Sequence, residues 1–523
     1  MAGAPASPTS GAALPARADL AAWIAVAAGI LGAFMAALDI SIVNSALPTI
    51  QGEIGASGTE GTWIATAYLV AEIVIISLSA WLEKLLGLRT FLLIATAGFT
   101  VFSMVCGLSH SLPMMVIGRI GQGFTGGALI PTAQTIIAIR LPRAQRMVGI
   151  AALGLTATMG PLMGPLIGGW LTENVSWHYA FFLNLPVGVI TVLLLLVGLP
   201  HQDTDLRQLR EADWLGIVGL TLGLGGLTVM LEEGQRELWF ASALIQRMAL
   251  LVAVGFAMVA AGQVVARHPV LKLSLLVDRQ FGAIAIAGMA LGGVIYGSAY
   301  AIPQFLAAIA GYDALQAGEV VLVSGFPSIA IMLVAGVLMQ RLDTRLAVAI
   351  GFGAMALSSF LNTNLTAQSV GDDFVVGQLV RGFGQVMAML FLNMGAINSV
   401  PTAEAGDASA LVNAARNLGG SFVLALIAVL QDQRMWLHAR RLEESLNANA
   451  PRVQQRVSAL SHSLGGLPTA LQQLAGQIQR QALVMTYNDI FWVMGVGAIA
   501  VLPCALFLRP MGQGQDPSEA MMH

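Results

Sequence analysis

The feature that most constrains this chain is a succession of long apolar runs, most of them close to twenty residues, separated by polar connections. A bilayer core takes ~20 apolar residues per helix, and in hydrocarbon only helices and closed barrels satisfy their own backbone. Runs fall near 21–47, 62–82, 91–108, 112–139, 148–171, 180–199, 214–231, 248–266, 282–307, 317–339, 346–361, 374–397, 408–430 and 488–508. Fourteen spans are therefore expected. Composition agrees: 56% of the 523 residues are hydrophobic and 10% charged, against about 25% charged in soluble domains. A water-soluble globule of this size is excluded, and the expectation is an all-α polytopic membrane protein. The net charge of -3 points to no nucleic-acid partner. Cys106 and Cys504 lie in apolar stretches and offer neither a disulfide nor a metal framework.

Residues 1–18 are small, Pro-rich and polar and read as a disordered tail without the layout of a cleavable signal peptide. Basic residues vote on orientation. With the N-terminus inside, the inner segments hold Arg17, Lys84, Arg89, Arg140, Arg143, Arg146, Arg207, Arg210, Arg267, Lys272, Arg279, Arg341, Arg345 and Arg509. The short outer loops hold only Arg236 and Arg247. Both termini are expected to be cytoplasmic, which requires an even number of spans. The segment 398–409 is expected inside and carries no Lys or Arg.

Span 4 contains IGRIGQGFTGG (117–127) and span 12 contains LVRGFGQVMAM (379–389), each with an arginine followed by glycines. The loops EKLLGLR (83–89) and QRLDTR (340–345) correspond at nearly the same offset. Two matches at one spacing predict a duplicated six-helix unit. The expected layout is a first half over 19–200, an inserted helix pair with linkers over 201–280, a second half over 281–510 and a tail over 511–523.

An ionisable side chain mid-span costs ~2.5–3.5 kcal/mol on insertion scales, so each needs a reason. At 1.5 Å per residue Asp39 lies ~12 Å below the outer surface, Arg119 ~10 Å and Glu72 ~15 Å. The three share a level in the first half and are the candidate proton-coupling residues. Burial favours a neutral acid and a neighbouring arginine favours a charged one, so the balance can change with conformation. The competing reading is a permanent ion pair clamping two helices. Tyr68 precedes Glu72 by four residues and shares its face. Tyr68, Asn44, Gln122 and Arg381 are the candidate polar residues of a substrate cavity. Arg381 and Arg416 also suit a structural role, bonding carbonyls or loop carboxylates such as Glu404 and Asp407.

Span 5 reads GLTATMGPLMGPLIGGW (154–170), with Gly160, Pro161, Gly164, Pro165, Gly168 and Gly169. Glycines every four residues make a bare face for close helix approach, and the prolines remove backbone hydrogen bonds. The expectation is a bendable, tightly packed contact between halves. Residues 431–487 form the one long polar segment, with Val453, Val457, Leu460 and Leu464 at helical spacing and breaks at Pro451 and 465–468. It reads as short helices, either a cap on the outer face or a docking surface. His438 and His462 read as solvated loop residues, and no metal site is expected.

These segments together resemble the fourteen-helix drug:proton antiporters of the major facilitator superfamily, and most closely its EmrB-like inner-membrane permeases. ALDISIVNSALP (37–48) resembles the first-helix motif, with its acid at Asp39. GRIGQG resembles the fourth-helix motif, with Arg119, Gly121, Gln122 and Gly123. MGPLMGPLIGG resembles the antiporter motif, SWHYAFFLNLPVG (176–188) the start of helix six, and LVNAARNLGGS (411–421) the penultimate helix. The loop after helix two departs from the pattern: it reads SAWLEKLLGLR, keeping Glu83, Lys84, Gly87 and Arg89 as candidate gating residues but with Ser79 in place of the first glycine. The resemblance implies the major facilitator fold and proton-coupled efflux of amphipathic drugs across a bacterial inner membrane. It further implies protons as the coupling ion, no cofactor and no enzymatic activity. A periplasmic adaptor and an outer-membrane channel are the implied partners. The alternative is a same-fold exporter of a defined metabolite such as a siderophore, fatty acid or sugar.

Overall fold

The computed structural model describes residues 18–509 except 203, 205–208, 210, 267–268, 402–403, 447–450 and 465. The tails expected at 1–18 (Ala18 aside) and 511–523 lie outside the described residues, as do Arg17, Arg207, Arg210 and Arg267. The side chains of Arg143, Pro161 and Arg452 lie outside them too.

Every regular element among the described residues is helical. The first half comprises α1 (Leu20–Glu53), α2 (Trp63–Leu86), α3 (Leu88–Gly107), α4 (Leu112–Gly126), α5 (Leu129–Arg140), α6 (Arg143–Asn174) and α7 (Asn184–Gly198). The inserted pair is α8 (Trp214–Glu233) and α9 (Ala243–Val265). The second half comprises α10 (Arg279–Phe305), α11 (Ala314–Leu322), α12 (Gly325–Arg341), α13 (Thr344–Leu361), α14 (Gly371–Asn398), α15 (Ala405–Ser445), α16 (Pro451–Leu464) and α17 (Leu467–Ala500).

Twelve helices among the described residues are long and apolar enough to cross a membrane, not fourteen. The two expected crossings outside that count are nonetheless helical. The run 112–139 is split into α4 and α5 around Gly127, and 148–171 falls within the 32-residue α6. The split is the physical reason that neither piece of 112–139 qualifies: α4 has 15 residues and α5 has 12. An α-helix rises 1.5 Å per residue, so ~20 are needed to span.

Aspartates start four of the helices that begin on the inner side, the side the basic residues mark. Asp19, Asp213, Asp278 and Asp343 each accept from a backbone N–H of the first turn of α1, α8, α10 and α13. Each cap satisfies an otherwise orphaned donor and places negative charge at the positive helix end. The connection from α2 to α3 is the single residue Gly87, whose φ of 77° is open to glycine and strained for other residues. A Cβ there would also press on Gln202, whose amide oxygen accepts from Leu88 N at 2.8 Å.

Within the first half α1 packs on α5, α6 and α7, and α4 lies between α2 and α3. In the second, α10 packs on α15, and α13 on α14 and α17. The halves meet through α2 and α5 against α15, and through α6 against α11 and α12. Of the inserted pair, α9 packs chiefly on α8, while α8 leans on both α2 and α15.

The segment 431–487 has helix ends at Ser445 and Leu464 and new starts at Pro451 and Leu467, near the breaks its sequence suggests, but only α16 is a separate short helix, packed on α17. The flanking parts continue α15 and α17, and α15 reaches 41 residues. QDQRMWLHARRLEES loses hydrophobicity without losing helix formers, so the helix outlasts the apolar run. The hairpin is tied at its base: His438 Nε2 lies 2.8 Å from Asp489, and Arg480 donates to the Ile309 carbonyl at 2.7 Å. His438 is thus buried and paired, not solvated.

Candidate functional site

Asp39 and Arg119 meet inside the first half. The carboxylate on α1 and the guanidinium on α4 are 2.7 Å apart, and both residues are 1% exposed. A buried pair is favourable only when its remaining lone pairs and protons are also satisfied, and here most of them are. Asp39 Oδ1 accepts from Gln122 Nε2 at 3.0 Å and from Asn184 Nδ2 at 2.7 Å. Both amides also donate to Ser103 Oγ. Arg119 donates Nε to the Ile64 carbonyl at 3.1 Å and Nη1 to Gln122 Oε1 at 3.0 Å. The Tyr68 ring lies 4.2 Å from the guanidinium carbon, a cation–π contact. Helices α1, α4 and α7 are joined at one carboxylate, and α3 is tied to the same network through Ser103.

This arrangement dictates the chemistry. The side-chain partners of Asp39 are all donors, a set that complements a carboxylate. A proton placed on it would set an O–H against N–H groups and leave Arg119 without its counter-charge.

Gln122 and Tyr68, expected in a substrate cavity, are fully buried in this network, and the Tyr68 hydroxyl has no partner. Asn44 is exposed on α1, further toward the outer end. Glu72 is 4% exposed and lines a small cavity apart from the pair. Arg381 is buried in the second half, donating to Ser324 Oγ at 3.0 Å with its Nε unpartnered. Among the described residues it bonds neither a carbonyl nor a loop carboxylate. Arg416 bonds the Asn413 side chain; the loop acids Asp407 and Glu404 instead take Lys84 at 2.7 Å and Lys272 at 2.6 Å.

Those two pairs account for the acidic 398–409 segment: it is the counter-charge to neighbouring basic loops. Lys84 joins α2 to α15, and beside it Ser409 and Asn413 of α15 both bond Gln134 Oε1 of α5, at 2.6 and 3.0 Å. The inner side is therefore bolted across the halves. Glu83 and Arg89 line a neighbouring inner cleft with Lys84 and Gly87.

The glycine face of α6 turns toward α1 in its own half, not toward the other half. A Cβ on Gly160, Gly164 or Gly168 would strike Ala37, Ser41 or Ser45 respectively. Gly169 faces open space. Another face of α6 reaches the second half, where Pro165 packs near Gly318 of α11. Sequence reasoning missed Asn184 and Ser103; Asn184 stood inside SWHYAFFLNLPVG, where its polarity among apolar residues was the available signal.

Two helical halves related by repetition, with ionic chemistry buried within one of them, define a polytopic carrier-type membrane protein. The chain belongs to the major facilitator superfamily, among its EmrB-like permeases: the superfamily's model matches residues 29–424. The chain is 32% identical over 480 residues to the "Colistin resistance protein EmrB" of Acinetobacter baumannii, covering 91% of this chain and 94% of that one. It is 31% identical to the "Multidrug export protein EmrB" of Escherichia coli K12, covering 92% and 94%. The "Fatty acid resistance protein FarB" of Neisseria gonorrhoeae is 29% identical, covering 95% and 97%. Among solved structures, the xylose symporter XylE superposes with a TM-score of 0.59 at 15% identity, covering 93% of this chain and 94% of that chain. The human organic anion transporter MFSD10 gives 0.56 at 15% identity, covering 91% and 99%. These two share the fold.

Proposed function

We propose that the protein is a proton-coupled multidrug efflux permease of a bacterial inner membrane, exchanging protons for amphipathic drugs by alternating access. The observation that carries this is the Asp39–Arg119 pair, buried among donors that complement a carboxylate. A proton arriving from outside neutralises Asp39 and releases Arg119. The clamp joining α1, α3, α4 and α7 then loosens. Because α6 packs its glycine face on α1 and its opposite side on α11 and α12, movement of α1 is passed to the second half. The inner bolt of Lys84–Asp407 and Gln134–Asn413 opens, drug exchanges for the proton inside, and the loaded carrier returns. The membrane potential adds ~2.3 kcal/mol per charge moved per 100 mV. Met and Phe, 24 and 20 in the chain, suit a cavity that adapts to varied apolar cargo.

In this reading the protein has no enzymatic chemistry and no cofactor beyond the coupling proton, and both termini are cytoplasmic. The α15–α17 hairpin is the surface for a periplasmic adaptor leading to an outer-membrane channel. The likeness to the fatty acid resistance protein supports a second reading, export of amphipathic acids. Purified protein in liposomes tests the proposal. An imposed pH gradient drives accumulation of a fluorescent amphipathic cation; no gradient-driven movement across a broad compound panel overturns the multidrug reading, and movement of fatty acids alone selects the second.

A further inference from the structure

The inserted pair has no counterpart in the six-helix repeat, yet α8 brings two carboxylates, Glu232 and Glu233, against both halves. A small cavity of about 20 Å³ lies where α8 meets α2, α10 and α15. Its polar lining is Glu72, Thr228, Glu232, Tyr296, Asn417 and Ser421. A cavity needs ~10–15 Å³ to hold one water, so this one fits about one water and no drug.

Both acids in the lining lack a full set of partners. Glu72 is 4% exposed and makes no hydrogen bond or ion pair among the described residues; the positive charges that act on it are Arg119 and Arg416. Glu232 Oε1 is buried without a partner, and its neighbours are the Ser421 hydroxyl and Glu233. Buried carboxylate oxygens are normally satisfied. The unpartnered Glu232 oxygen and the unbonded Glu72 carboxylate, facing one water-sized space, therefore point to a shared occupant that bonds both.

The acids also continue outward. Glu233 is 3% exposed and accepts from Thr66 Oγ1 at 2.6 Å, and it pairs at 3.3 Å with Arg236, whose side chain is 41% exposed. Followed from neighbour to neighbour, the groups run from the half-exposed Arg236 to Glu233, Glu232, the cavity and Glu72, with Arg119 of the Asp39 pair the next charge acting on Glu72.

We propose that Glu232 and Glu72 form a second proton site, by which the inserted helix feeds protons from the outer side toward the Asp39–Arg119 pair. Glu232 takes a proton arriving past Glu233. It gives that proton to the water in the cavity, which returns another to the Glu72 carboxylate; one O–H bond breaks and one forms at each exchange, and no charge is created. The ionisable groups facing the site are Tyr68 on α2, Glu233 on α8, Tyr296 on α10, Arg416 on α15 and Arg119 on α4. The proposal rests on the proton-coupled reading above and adds a residue and a route to it.

The test uses the full chain in liposomes, with a cationic dye as cargo and a pH dye inside. Two rates are read for each variant: gradient-driven accumulation, and downhill dye movement without a pH gradient. Glu232→Gln lowers gradient-driven accumulation at least ~10-fold, less than the ~100-fold or more of a group that transfers its proton in the reacting step because Asp39 is retained, and leaves downhill dye movement largely unchanged. Glu232→Asp, which keeps the acid, restores most of the coupling. Glu72→Gln gives the same split, and the double variant is no worse than either single. Full coupling in Glu232→Gln, or losses that multiply in the double variant, overturns the route while leaving the general mechanism intact. Loss of downhill cationic dye movement but not of neutral cargo makes Glu232 a cargo ligand and also overturns it. Wild-type protein that shows no gradient-driven movement removes both the proposal and the reading beneath it.

Discussion

The two halves place an arginine at corresponding positions and treat it oppositely. Arg119 finds a carboxylate, a carbonyl, a glutamine and an aromatic face. Arg381 finds one serine hydroxyl, and its Nε has no partner. One turn before it, Gln378 is completely buried with both amide atoms unpartnered. No carboxylate lies within salt-bridge distance of Arg381 among the described residues. The difference teaches that duplication supplied the scaffold twice but the ionic lock once. A conformational cycle driven by a single switch is better served by that asymmetry than by two locks that must release together.

The comparison breaks most sharply at Asp39. Asp39→Asn keeps the shape and removes the titratable group, so gradient-driven transport is expected to fall ~100-fold or more, read as dye accumulation in liposomes. Its helices should persist by circular dichroism, with lower resistance to denaturant because Arg119 loses its counter-charge; full activity would remove Asp39 from the mechanism. Next in size is Arg119→Met. Deleting one member of a buried pair costs ~3–5 kcal/mol because the other charge is stranded, so the variant should unfold at distinctly lower denaturant in detergent. Arg381→Met sharpens the contrast: it strands no opposite charge, and replacing a poorly paired buried ion by an apolar side chain is expected to be neutral or stabilising by ~1 kcal/mol. Equal losses for the two arginine variants would end the asymmetry argument. The smallest effect is at the inner bolt. Lys84 is 45% exposed, so screening limits Lys84→Ala to ~0.5–1 kcal/mol. It should appear as faster amide hydrogen exchange around Gln134 and Asn413, with little change in overall stability.

Much of this was legible in the chain. The runs of apolar residues marked the helices, and depth counting put Asp39, Glu72 and Arg119 on one level before any contact was known. The matching arginines of spans 4 and 12 gave the repeat. Other features were hidden for physical reasons. Asn184 and Ser103 complete the lock, but neutral polar residues are common in helices and no spacing marks them as ligands. The direction of the α6 glycine face depends on which helix lies beside it, and a period of four cannot say whether that helix belongs to the same half. Glu232 reads as a loop charge, since it ends an apolar run in EEGQRE; only the lean of α8 on α2 and α15 brings it inward. The absence of Lys and Arg from 398–409 looked like an exception to the orientation pattern. It is the complement of that pattern, since Asp407 and Glu404 sit against the basic loops.

The unbroken length of α15 has a mechanical consequence. Its 41 residues make a rod ~60 Å long at 1.5 Å per residue. Near one end it holds Asp407 of the bolt, at mid-course it borders the acid-lined cavity through Asn417 and Ser421, and toward the other end it carries His438 of the protruding hairpin. A rod pivoting at its middle is a lever: a tilt of ~2° displaces each tip by about 1 Å, in opposite directions. That is enough to stretch a 2.7 Å ion pair beyond hydrogen-bonding reach. Force applied to the hairpin from outside is thereby felt at the inner latch, and a load hung on the outer tip retunes how readily the inner side opens.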